Sequence, residues 1–162
     1  MSAPHHFRIA LRWTGDRGTG TSSYAAYGRD HVIEGEGKAA AIPGSSDPRF
    51  RGDAARWNPE ELLLAALSAC HQLWYLHLCA DAGITVTDYR DAADAELVLE
   101  PDGGGRIVAA TLRPAVTIAA GGDAARASSL HGEARRLCFI ARSVAFPVRH
   151  EACVTTAPVC IG

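Results

Sequence analysis

The chain has 162 residues, 48% of them hydrophobic and 21% charged, which suits one globular domain spanning 1–162 and excludes a disordered polypeptide. A formal net charge of -2 without any basic block argues against nucleic acid as a partner. Residues 1–13 lack a basic segment followed by an uninterrupted apolar core, so no secretory leader is expected and the reading is a soluble cytoplasmic protein.

Phe7 to Trp13 alternates apolar and basic residues, which predicts a strand with one buried face. Thr14 to Gly20 is a turn cluster, Thr21 to Tyr27 is expected to return as a second strand, and Asp30 to Lys38 to form a third. No Gly-Lys-Ser/Thr follows the glycines and no helix opens after them, so they mark a hairpin rather than a phosphate cradle. Pro43 to Ala55 reads as a polar loop carrying Arg49 and Arg51, with Arg56 just beyond it.

Trp57 to Gly83 holds the longest apolar run and predicts the central helix. Asn58 is suited to accept from free N–H groups, Pro59 to the first helical position, and Glu60 and Glu61 to the positive helix end. Gly83 is the matching stop. Apolar residues fall on nearly every face, which places the helix in a core or between subunits. Its Glu, His, Gln and Asp residues make it a poor membrane span.

Ile84 to Glu100 predicts a strand, Asp102 to Gly105 a tight reversal, and Arg106 to Ala119 a second long strand in which Pro114 implies an edge position or a bulge. Asp123 to Ser143 predicts a second helix with Asp123 as N-cap. Ala127, Leu130, Ala134, Leu137, Cys138 and Ala141 lie on one face of it, which turns Cys138 towards the core. Pro147 ends that segment, Val148 to Thr156 closes as a last strand containing Cys153, and Val159 to Gly162 is a short tail. Strands, helix, strands, helix, strand, with two hairpins, is an α+β order rather than a βαβ repeat.

The five cysteines form no CxxC pair, so they suit neither a secreted disulfide framework nor a structural zinc site. A thiol in the middle of a buried helix gains little from the helix dipole and is inert unless a cation approaches it. Arginine suits that task, because it stays charged and its fork reaches a thiolate and a carboxylate together. The arginine loop just before the helix and Glu60 at its start are therefore the candidate partners of Cys70.

The run Asn58-Pro59-Glu60-Glu61-Leu62 through Ala69-Cys70 resembles the NPEEL…AC segment of the OsmC/Ohr family of thiol-dependent hydroperoxide reductases. Leu137-Cys138-Phe139-Ile140-Ala141-Arg142-Ser143-Val144 is similar to the second cysteine segment of that family, and Trp13-Thr14-Gly15-Asp16 to its first hairpin. The resemblance implies a peroxidatic Cys70 and a resolving Cys138, which condense to an intramolecular disulfide that a dithiol reductant, lipoyl-type or a small thiol, reopens. It also implies that Glu60 pairs with an activating arginine. Arg49 matches the OsmC position; the Ohr branch uses a glycine-flanked turn that would give Arg29, and Arg56 stays a third candidate. The family fold is an intertwined homodimer of antiparallel sheets around the long helix, with apolar sites at the interface suited to organic hydroperoxides; Leu67, Trp74 and Phe139 read either as their lining or as plain core packing. No cofactor, metal or membrane is implied.

His71 and His77 depart from the common family pattern and read as hydrogen-bonded core or surface histidines ahead of proton donors. Cys79 and Cys153 read as structural, Cys160 as an exposed tail thiol. A metal site from Cys70, His71, His77, Cys79 and Cys138 lacks any i,i+4 ligand pair. A non-catalytic redox sensor or small-ligand binder on the same fold is the competing function.

Overall fold

A computed structural model of the chain describes residues 3–158. It divides into two compact units, Met1–Leu62 and Leu63–Gly162.

In the first unit, β1 (Ala10–Trp13), β2 (His31–Glu34) and β3 (Ile42–Gly44) form an antiparallel sheet in that order. The expected strand over Thr21 to Tyr27 is absent, and the segment is a succession of turns. Its ends are tied instead of paired: the Gly28 N–H donates to the Gly15 carbonyl at 2.7 Å and the Trp13 indole N–H to the Gly28 carbonyl at 2.8 Å. A Cβ on Gly15 would lie 2.0 Å from the Gly28 oxygen, so only glycine allows this closure. All four residues of β1 are exposed, where alternation predicted one buried face. Within Pro43 to Ala55, Asp47 caps a 3-10 turn over Pro48–Phe50.

The central helix, α1, runs from Pro59 to Asp81. Asn58 and Glu61 close a reciprocal capping box: Asn58 Oδ1 accepts from the Glu61 N–H at 2.8 Å and Glu61 Oε2 from the Asn58 N–H at 3.1 Å. That leaves the Glu60 carboxylate uninvolved in the cap. Gly83 sits at φ 68°, with its N–H on the Ala80 carbonyl and the Ile84 N–H on the Cys79 carbonyl, a Schellman stop. Asn58→Ala is expected to lower stability by about 1 kcal/mol, read as a fall in the urea midpoint at unchanged slope.

The second unit holds two mixed sheets. β4 (Val86–Asp91), β7 (Pro114–Ile118) and β9 (Cys153–Thr156) form one, and β5 (Asp94–Leu99), β6 (Gly105–Leu112) and β8 (Val148–His150) the other. Each of the two long predicted strands thus breaks and crosses from one sheet to the other. The corner is built on Arg113, whose backbone N–H reaches Asp91 at 2.7 Å and whose guanidinium contacts Asp94 and Glu151. Pro114 is buried and opens β7, which is the middle strand of its sheet and not the expected edge; as the first residue of the strand it is tolerated there. The expected last strand also splits, and β8 and β9 pair parallel with β6 and β7. The sheets are therefore not purely antiparallel.

α2 runs from Ala124 to Leu137 with Asp123 as N-cap, shorter than the periodicity predicted. Cys138 leaves the helix at ψ 114°, and a separate 3-10 turn follows at Ala141–Ser143.

Tyr75, Cys79, Ile84, Val116, Ile118, Ala127, Leu130 and Ala134 form the main core, and Leu67, Ala110, Leu112 and Val148 a second cluster. The α1 residues buried there, Leu67, His71, Tyr75 and Cys79, make one i,i+4 stripe. Ala65, Ala69 and Leu73 on another face are exposed, so the helix is not enclosed by its own chain on every side. By length and composition alone α1 could cross a bilayer; its stripe is packed in protein core.

Candidate active site

Cys70 lies half-buried on α1, one residue before His71 of the buried stripe. Cys138 is 1% exposed and occupies the C-cap of α2, not its interior. The break matters for the sulfur: because the chain turns away at Cys138, the Ala141 N–H folds back and donates to Cys138 Sγ at 3.4 Å. The Cys70 thiol is the titratable side chain next to Cys138. Burial, with the neighbouring Cys70 thiol second, pushes Cys138 up to about 11, against the opposing Ala141 and Ile140 amides. A thiol so placed keeps its proton at neutral pH, beside a half-exposed partner.

The other described cysteines stand apart from this pair. Cys79 is buried against the Tyr75 hydroxyl, and burial raises its pKa. Cys153 is exposed on β9. Cys160 lies outside the described residues.

Behind the thiols sits a cluster that the sequence did not announce. His71 Nε2 and His131 Nδ1 share a hydrogen bond of 3.0 Å, His131 stacks on Tyr75 at 3.9 Å, and His150 lies 5.7 Å from His71 between ring centres. His71 and His131 are 2% and 0% exposed. Desolvation by burial, aided by the neighbouring imidazoles, lowers His71 to about 4 and His131 to about 3. Leu67, His71, Cys138, Val148 and His150 share the wall of one small closed space. The available signal was spacing: His131 falls between Leu130 and Ala134 on the apolar face of α2. His77, by contrast, is a surface residue paired with Asp81 at 3.4 Å. Among the described residues no three His, Cys, Asp or Glu side chains converge as a metal-holding group.

Of the expected lining residues, Leu67 is buried beside Cys138. Trp74 and Phe139 form an edge-to-face pair at 5.6 Å, with Phe139 65% exposed.

The candidate arginines belong to the first unit. Arg49 is exposed and pairs with Asp47 at 3.0 Å, which raises its pKa, with Glu60 a more distant favourable charge. Arg56 lies between Asp30 at 3.6 Å and Asp53 at 3.5 Å. Arg29 is sandwiched between the rings of Tyr24 and Tyr27 at 4.2 and 4.1 Å. Its Nη1 donates to the Tyr27 carbonyl, and its Nη2 is buried with no partner.

A family profile described as OsmC-like protein matches residues 52–152, a span that takes in the capping box, both cysteines and the histidine cluster. The chain belongs to the OsmC-like family. An OsmC-like protein of unknown function from Vibrio cholerae is similar in structure, at a TM-score of 0.83 and 27% identity over 93% of this chain and 100% of that one. An organic hydroperoxide resistance protein OsmC from Legionella pneumophila shares the fold at 0.68 and 17% over 95% and 99%. So does the organic hydroperoxide resistance protein OhrB of Bacillus subtilis, at 0.62 and 19% over 93% and 98%. No protein with a curated description matches the sequence. The OsmC-like fold expected from the two cysteine segments is thus established for this chain.

Proposed function

We propose that this OsmC-like protein is a cytoplasmic thiol-dependent peroxidase that reduces hydroperoxides, organic ones in preference. One observation carries the reading: two cysteines distant in sequence have neighbouring thiols, one half-exposed and one buried and held protonated. The Cys70 thiolate attacks the distal peroxide oxygen; the O–O bond breaks, the alcohol leaves on taking a proton, and Cys70 becomes a sulfenic acid. The Cys138 sulfur then attacks that sulfur, its proton leaves with the hydroxyl as water, and a Cys70–Cys138 disulfide results. A dithiol, of lipoyl type or a small thiol, reopens it by exchange. Two of the related structures carry organic hydroperoxide resistance in their descriptions, which supports the substrate class.

A homodimer is part of the proposal. It would cover the apolar face of α1 at Ala65, Ala69 and Leu73, and it would account for exposed Phe7, Ile9 and Leu11.

Turnover with excess reductant tests the function. A peroxidase consumes many equivalents of cumene hydroperoxide with dihydrolipoamide or dithiothreitol. A redox sensor or ligand-binding protein oxidises once and stops, and that result would replace the enzymatic reading.

Arg49 with Glu60 is proposed as the pair that activates Cys70, which requires Arg49 to exchange its bond to Asp47. The unpartnered Nη2 of Arg29 favours a second reading with that residue as activator. Arg49→Ala is expected to slow Cys70 oxidation about 100-fold and Arg29→Ala by less than threefold. The reverse ranking, measured by stopped-flow at pH 7, would transfer the role to Arg29.

A further inference from the structure

We infer that a cavity of about 390 Å³ behind Cys138 is a binding site for the carboxylate end of an aliphatic acid. Arg135, Arg136 and Arg142 line it, over a floor that includes Ala141, Phe146 and Val148. Among the described residues none of these three arginines has a carboxylate within ion-pair distance, although Arg126 on the same helix holds Glu133 and Arg113 holds Asp94 and Glu151.

Arg135 and Arg136 occupy the last turn of α2, where positive charge is favoured by the helix dipole, so their presence alone needs no ligand. Arg142 removes that explanation for the set. It stands on the separate 3-10 turn after Cys138 and yet faces the same cavity. Three unneutralised guanidiniums at one opening attract an anion, and their planar forks match a carboxylate in bidentate geometry. The apolar floor selects among anions. A small inorganic ion would leave the half-buried Ala141 and Phe146 in contact with water, whereas an alkyl chain covers them.

The site adjoins the redox pair. Ala141, whose N–H donates to Cys138 Sγ, and Arg135 and Val148 belong both to this cavity and to the small closed space beside Cys138 and His150. A bound acid would therefore lie next to the buried thiol. The inference does not depend on peroxidase turnover, because binding itself is what is measured.

Calorimetric titration of the 162-residue protein with octanoate, octanamide, acetate and inorganic phosphate tests it. Octanoate is expected to bind, with octanamide, acetate and phosphate each weaker by about tenfold or more. Affinity should fall as salt is raised, since the arginines are exposed. Octanoate should shift the amide resonances of Ala141 and Val148, which fixes the location. The double variant Arg136→Gln with Arg142→Gln should lose about tenfold in affinity with an unchanged circular dichroism spectrum. Should the double variant not fold, single Arg142→Gln carries the same expectation at reduced size. Failure of octanoate to bind, equal binding of octanamide or phosphate, shifts confined to other residues, or unchanged affinity in a folded variant would each overturn the inference.

Discussion

Cys70→Ser is expected to reduce hydroperoxide turnover to background, a loss of about a thousandfold or more. Cys138→Ser should behave differently, consuming close to one equivalent of peroxide and then halting as a sulfenic acid. The asymmetry follows from the surroundings of the two sulfurs. Burial and the neighbouring Cys70 thiol push Cys138 up to about 11, so it stays protonated at pH 7. Its contribution is as the second thiol, already adjacent when Cys70 becomes electrophilic. Single-turnover kinetics with cumene hydroperoxide, followed by trapping of Cys70 with dimedone and mass spectrometry, checks both outcomes. If Cys70→Ser matches wild type, the catalytic assignment fails while the fold assignment stands. A Cys138→Ser protein that cycles freely would mean that an external thiol resolves Cys70 directly.

Acid should destabilise the fold well before the ordinary carboxylates titrate. His71 and His131 are buried and neutral, with pKa values lowered to about 4 and about 3, chiefly by desolvation. The nearby Asp91 opposes the shift at His71, and His150 with Arg135 close to it reinforces the positive side. In the unfolded chain both residues titrate near about 6.5, so over the intervening range the unfolded state binds more protons. Their stabilising contribution is full above pH 6.5 and declines as pH falls from there towards 4, each neutral histidine giving a slope of up to about 1.4 kcal/mol per pH unit. Geometry sharpens the effect. The 3.0 Å bond between His71 Nε2 and His131 Nδ1 needs one bare nitrogen, and double protonation would set two N–H donors against each other. Against a total stability of about 5–15 kcal/mol, such a loss is large. Urea titrations at pH 7.0 and pH 4.5 should show a marked fall in midpoint, and His131→Phe, which keeps the stack on Tyr75, should flatten the dependence. Asp16 and Asp47 have lowered pKa values and act below the carboxylate range, so they do not disturb this window. An unchanged midpoint in wild type would mean that the cluster is hydrated and titrates normally.

Residue patterns carried the local features well. Asn58 and Glu61 at one end of α1 and Gly83 at the other are caps, and caps are formed by neighbours in sequence. The α+β order and the two cysteine segments were equally readable, because periodicity and motif spacing are properties of the chain. The failures share a cause. Thr21 to Tyr27 has strand-like composition, but closure of Gly28 on Gly15 and the seating of Arg29 between two tyrosines hold it in turns. The long strands around Asp91 to Asp94 and Arg113 look continuous in sequence. Only the backbone bond of Arg113 to Asp91 and its ion pairs with Asp94 and Glu151 reveal the corner at which they change sheets.

By itself, then, the sequence determined the central helix, its caps, the core-facing Cys138 and the family. Tertiary structure decided that α2 stops at Leu137, which turns the Ala141 amide onto the Cys138 sulfur and sets that sulfur beside Cys70. It also decided that His71, His131 and His150, drawn from α1, α2 and β8, meet in one cluster. Proton affinities respond to burial and to neighbours within a few ångströms, and for both the thiols and the histidines those neighbours come from remote parts of the chain.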